Sequence, residues 1–192
     1  TLHKILNADS KRKGLSYIAS GILGVTLAVM WPLFIFLNIE KVISLGVIIS
    51  IGSLITIFFL FAIGKIADKH KERVLKTGVY SHALTWPIRL FLLSPIGIFI
   101  MNLLSSITFL MIDLPFSKLI YEKGRKSKDI VDYFLFREIN LQIGRILVLA
   151  IAFFTGSIYW TFILSFFATF LYLAVLRDKK DSPLLALLPE DN

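Results

Sequence analysis

The chain has 192 residues, of which 56% are apolar or aromatic and 18% are charged, against about 45–50% and about 25% in an ordinary soluble domain. The excess lies in long runs, which excludes a soluble enzyme, a disordered chain and a coiled coil and leaves an all-α, polytopic membrane protein. Twenty-one Lys and Arg against 13 Asp and Glu give a net charge of +8, and the absence of Cys excludes a disulfide framework and thiolate or cysteine–zinc chemistry.

In chain order, a basic leader (residues 1–13) carries Lys4, Lys11, Arg12 and Lys13. The first apolar run is longer than a signal-peptide core and no small-residue cleavage site follows it, so no signal peptide is read there. With Thr as its first residue, the chain reads as a piece of a longer protein or a processed one. Six spans follow, at 14–37, 42–64, 74–93, 96–116, 133–155 and 158–176, each near the roughly 20 residues that a membrane helix needs. Ser94-Pro95 separates the third from the fourth, and Gly156-Ser157 makes a tight turn before the sixth. Residues 65–73 and 117–132 are charged loops, and residues 177–192 are a charged tail. The domain layout is therefore a leader at 1–13, a six-helix transmembrane bundle at 14–176 and a tail.

Seventeen of the 21 basic residues fall in the leader, the two charged loops with their flank at Lys76, and the tail, whereas the opposite loops hold only Lys41. The positive-inside rule makes those segments and both termini cytoplasmic, and it accounts for the net charge without a nucleic-acid partner. The sixth span (SIYWTFILSFFATFLYLAVL) is apolar all round and reads as lipid-facing. The first, fourth and fifth carry polar residues and should face an interior.

Gly64-Lys-Ile-Ala-Asp68-Lys69-His-Lys-Glu-Arg73 resembles the signature loop of the major facilitator superfamily, G-x-x-x-D-[RK]-x-G-[RK]-[RK]. Gly64, Asp68, Lys69 and Arg73 match, Lys71 replaces the second glycine, and Glu72 stands where a base is usual. In that family the loop joins the second and third helices of a six-helix half on the cytoplasmic face. The resemblance implies one half of a twelve-helix transporter, read here as the C-terminal half because a basic stretch precedes the first span. It also implies a central cavity lined by the first and fourth helices, with Tyr17, Thr26, Trp31, Asn102 and Ser106 as lining residues. Read physically, Gly64 permits close backbone approach or an αL cap. Asp68 is placed to sit against a helix N-terminus of a neighbouring bundle and so to gate. Lys69, Lys71 and Arg73 anchor the loop at the anionic leaflet.

Arg145 lies 12 residues after Tyr133, about 18 Å along a helix and near mid-membrane. An Arg at that depth costs about 2.5–3.5 kcal/mol on insertion scales unless it faces water or a partner. Glu138, Gln142 and Arg145 make a polar stripe, either cavity-facing substrate or relay residues or an interhelical network. Arg89, beside Trp86 and Pro87, reads as snorkelling to the outer interface. Asp113 is read as pairing with a basic loop residue, His82 as a lone packing or hydrogen-bonding residue, and Trp31-Pro32 as an anchored kink. There is no catalytic set and no metal or cofactor motif. The expected function is gradient-driven transport of a small-molecule substrate across the plasma or inner membrane. Its partners would be the lipid bilayer and a second six-helix half. The alternative is a six-helix accessory or assembly protein without transport activity, and an enzyme is not expected.

Overall fold

The structure is a computed structural model that describes residues 8–38, 42–91, 94–127 and 129–177. Lys41, the first seven residues and the tail from 178 lie outside the described residues, among which there is no strand. Helix α1 (Ala8–Val25), a π-helical segment (Thr26–Met30) and α2 (Trp31–Asn38) run on as one first helix. The kink expected at Trp31-Pro32 takes the form of this π segment. Pro32 has no N–H to donate back along the helix, and the preceding turns widen so that the Trp31 N–H reaches the Thr26 carbonyl.

The second helix is the surprise of the chain. Residues read as two spans and a charged loop form one 48-residue helical element, α3 (Val42–Arg89), with a single non-helical residue, His70, at φ −135° and ψ 49°. Its two arms run in opposite directions along α4 (Pro95–Arg125). On the first arm, Gly52 abuts Asn102 and Asp68 meets Lys118. On the second, Lys71 meets Glu122, Gly78 abuts Met111, His82 meets Thr108 and Arg89 meets Ser105. Ascending and then descending partners on one helix mean that α3 doubles back at His70. The charged loop is therefore a helical elbow rather than irregular chain. The second charged loop is shorter than expected too, because α4 continues to Arg125.

Chain ends are set by local chemistry. Ser94 caps α4 by accepting from the Gly97 N–H at 3.1 Å, with Pro95 in the first helical position. Asp129 caps α5 (Ile130–Thr155) through the Asp132 N–H at 3.1 Å. Gly156, at φ 60°, ends α5 in the left-handed region that glycine enters without strain. Helix α6 (Tyr159–Leu171) and the short α7 (Ala174–Arg177) close the fold, and Ser16 on α1 donates to the Leu171 carbonyl at the end of α6 at 3.0 Å.

Helices α1 and α5 touch backbone to backbone. A Cβ on Gly21 would lie 2.0 Å from the Leu141 carbonyl oxygen, and one on Gly144 would lie 2.1 Å from that of Ile18. Small residues that let two backbones meet are the usual solution where lipid removes the hydrophobic drive between helices. The expectation that α6 faces only lipid is overturned. Thr161, Phe162, Ser165, Ala168 and Thr169 are buried along one stripe of α6, and the Ser165 hydroxyl donates to Thr26 Oγ1 at 2.8 Å. Its apolar character hid a seam of small hydroxyl residues, Thr161, Ser165 and Thr169, spaced four apart.

Among the described residues, five helices are long and apolar enough to cross a membrane: Lys13–Asn38, Ser50–Arg89, Pro95–Arg125, Ile130–Thr155 and Tyr159–Leu176. Their outer surface is strongly apolar, with Phe58 77% and Phe153 83% exposed. Apolar surface on that scale is made for lipid or for another protein, not for water.

Candidate functional site

An open cavity of about 480 Å³ lies between the first helix, the first arm of α3 and α4. Trp31, Pro32, Asn102 and Ser106 are in its wall, opposite Ser53 and Thr56. The π segment delivers the adjoining Leu27 and Ala28. Trp31 and Asn102 are directly joined, the indole N–H donating to Asn102 Oδ1 at 3.1 Å. Ser106 donates to the Asn102 carbonyl at 2.9 Å. Of the five lining residues implied by the resemblance, Trp31, Asn102 and Ser106 line this cavity. Tyr17 is packed instead between Phe116 and Phe136, its hydroxyl 2.7 Å from that of Tyr133. Thr26 is spent on bonds to Ile22 and Ser165.

Behind Trp31 sits a residue that the sequence reading misplaced. Arg89 does not snorkel: it is 0% exposed. Its guanidinium carbon lies 4.2 Å from the ring centre of Trp31 and 4.3 Å from that of Trp86. Nη2 donates to Ser105 Oγ, and neither Nε nor Nη1 has a hydrogen-bond partner among the described residues. No carboxylate among the described residues pairs with it. A desolvated cation–π contact is worth about 2 kcal/mol or more, and a buried unmet donor costs about 1–3 kcal/mol. Two contacts therefore do little more than offset two bare nitrogens. His82 flanks the group, edge-on to Trp86, with Nδ1 3.0 Å from Thr108 Oγ1. The insertion penalty that singled out Arg145 applied equally to Arg89. Proximity to Trp86 and Pro87 looked like an interface signature, but those rings belong to a core of aromatic residues that includes Phe34 and Phe162.

The polar stripe of α5 exists, and it faces away from the described helices. Gln142 Nε2 donates to Glu138 Oε1 at 2.9 Å, and Arg137 Nη1 lies 3.9 Å from Glu138 Oε2. Glu138, Gln142 and Arg145 are all exposed, while Leu141, Gly144 and Val148 turn toward α1. No hydrogen bond or ion pair holds Arg145 among the described residues. The stripe and the cavity of Trp31 and Asn102 are built on different helices.

At the elbow, Asp68 accepts from Lys118 at 2.7 Å, and Lys71 donates to both carboxylate oxygens of Glu122 at 2.6 Å. Asp68 thus has a side-chain partner on α4 of its own chain, and its carboxylate is still largely exposed. Gly64 is not a cap: it lies inside the first arm, and among the described residues a Cβ there would meet nothing within 4 Å. Lys69 and Arg73 are exposed at the elbow. Asp113 has no ion pair among the described residues, although Arg137 lies within electrostatic reach. No group of three His, Cys, Asp or Glu capable of holding a metal occurs among the described residues. Comparison with protein-family models, with curated proteins and with solved structures finds no match to this chain.

Proposed function

We propose that the chain is a six-helix half of a major-facilitator-type secondary transporter that moves a small solute across the plasma or inner membrane. In this reading the two arms of α3 cross separately, both termini are cytoplasmic, and the His70 elbow with its salt bridges lies at the cytoplasmic surface. The second half packs over the exposed stripe of α5, and the two bundles rock about the space between them.

The observation that carries the proposal is the exposure of Glu138, Gln142 and Arg145 in the middle of a helix otherwise suited to hydrocarbon. Such groups cannot rest against lipid tails without a large cost, so water or another bundle must meet them. The resemblance of the elbow to the signature loop and the 17-to-1 division of loop basic residues support the same reading.

Uptake into cells expressing the full reading frame tests it, with radiolabelled amino acids, sugars and organic acids as probes. At least one should accumulate saturably. Arg145→Gln should abolish that uptake with expression and detergent stability near normal, and Arg145→Lys, which keeps the charge without the planar fork, should retain part of it. Accumulation of none would favour the accessory-protein alternative. Loss of expression and uptake together would make Arg145 structural.

A further inference from the structure

We propose that Arg89 is the anchor of an anion-binding site: a carboxylate or phosphate on an apolar body, which occupies the cavity walled by Trp31 and Asn102. The inference rests on the transporter reading for its purpose, but the site itself lies wholly within this chain. Three observations converge on it. Arg89 is a fully buried cation with no carboxylate partner among the described residues, and its Nε and Nη1 have no acceptor. Trp31 and Trp86 flank the guanidinium, so donors directed along its plane remain for an anion. Planar, charge-assisted donation to carboxylate or phosphate is what this group does best.

The cavity supplies the second half of the specificity. Trp31 is both a wall of the cavity and a cover of the cation, so one indole ring separates the two. The ring donates one hydrogen bond of 3.1 Å to Asn102, and it is also stacked on Phe34 with 5.6 Å between ring centres. It also follows directly on the π segment, a register that often marks functional positions in helices. Swinging Trp31 aside would join the cavity to the guanidinium. The remaining wall is largely aliphatic, with Leu27, Ile35, Ile57 and Leu60, which suits an apolar body and rejects a multiply charged one.

Isothermal titration of the purified full-length protein tests this with matched probes. The soluble pair is 4-phenylbutanoate and its neutral amide. The lipid pair is dioctanoyl phosphatidic acid and dioctanoyl phosphatidylcholine. At least one anionic probe should bind tenfold or more tightly than its partner. Arg89→Gln should erase that preference, and Arg89→Lys should keep part of it. The pair that shows the preference identifies the source, a free organic acid or a lipid headgroup. Equal binding within both pairs in the unaltered protein would overturn the site without recourse to any variant. So would a preference that survives in folded Arg89→Gln. Binding with no uptake in proteoliposomes would refute the transport reading and leave the site standing. Saturable uptake of neutral solutes with no anion preference would do the reverse.

Discussion

Arg89 and Arg145 carry the same charge within apolar segments, and the packing treats them in opposite ways. Arg89 is enclosed by two indoles and left short of acceptors, whereas Arg145 points out of the described helices. A buried charge without a partner is a poor structural device, and apolar replacement of buried ionic groups is often neutral or stabilising by about 1–4 kcal/mol. Arg89→Met should therefore leave the melting temperature in detergent unchanged or raised. A fall of many degrees would make Arg89 part of the scaffold. Asp68 and Lys118 behave differently, because each is the other's partner. Asp68→Lys and Lys118→Asp should each loosen the elbow, and the double reversal should restore it, as read by limited proteolysis near His70. Failure of the double variant to recover would mean that the 2.7 Å pair contributes nothing.

At the scale of the helix, the contact of α1 with α5 depends on two missing side chains. Gly144→Ala would place a methyl 2.1 Å from the Ile18 carbonyl oxygen, and overpacking of this kind costs about 1–3 kcal/mol. Gly24→Ala is the matched control, since nothing lies within 4 Å of its added carbon and Ala is the better helix former by up to about 1 kcal/mol. Thermal unfolding in detergent should fall for the first and hold or rise for the second. Equal effects would mean that the helices do not meet at Gly144. Hydropathy and the Ser94-Pro95 and Gly156-Ser157 signals made the apolar stretches of the long helices legible in the sequence, because helix length and chain breaks are local properties, but not the helical continuity through residues 65–73. What was not legible depended on partners. The seam of Thr161, Ser165 and Thr169 on α6, the burial of Arg89 and the pairing of Asp68 with Lys118 are set by which helix lies alongside, which no single-segment pattern encodes. Trp31 and Asn102 were found because the resemblance placed the first and fourth helices around a common space.

For the whole molecule, the direction of the chain at His70 decides the topology. If α3 crosses twice, Asn38 and Ser94 lie on the same side of the membrane, and Lys126 lies on the other. If the 48-residue element crossed once, Asn38 and Ser94 would lie on opposite sides. These 192 residues hold no cysteine, so single cysteines at these positions report on this bundle alone once any cysteine elsewhere in the reading frame is replaced. Those at 38 and 94 should react with an impermeant maleimide from outside intact cells, and one at 126 only after permeabilisation. Labelling of 38 and 94 from opposite sides would remove the doubling-back of α3.

If the chain is a transporter half as proposed, the polar stripe of α5 borders a water-filled path opened first to one side and then to the other. Gln142→Cys in the full-length protein is the most direct test, with Phe58→Cys as the lipid-facing reference. The cysteine at 142 should react with impermeant maleimide from each side of the membrane, with substrate shifting the balance between the two rates, while that at 58 stays unreactive. A cysteine at 142 that is inert from both sides, in protein that still labels at 126, would contradict the claim and leave the stripe as the glue between this bundle and a neighbour.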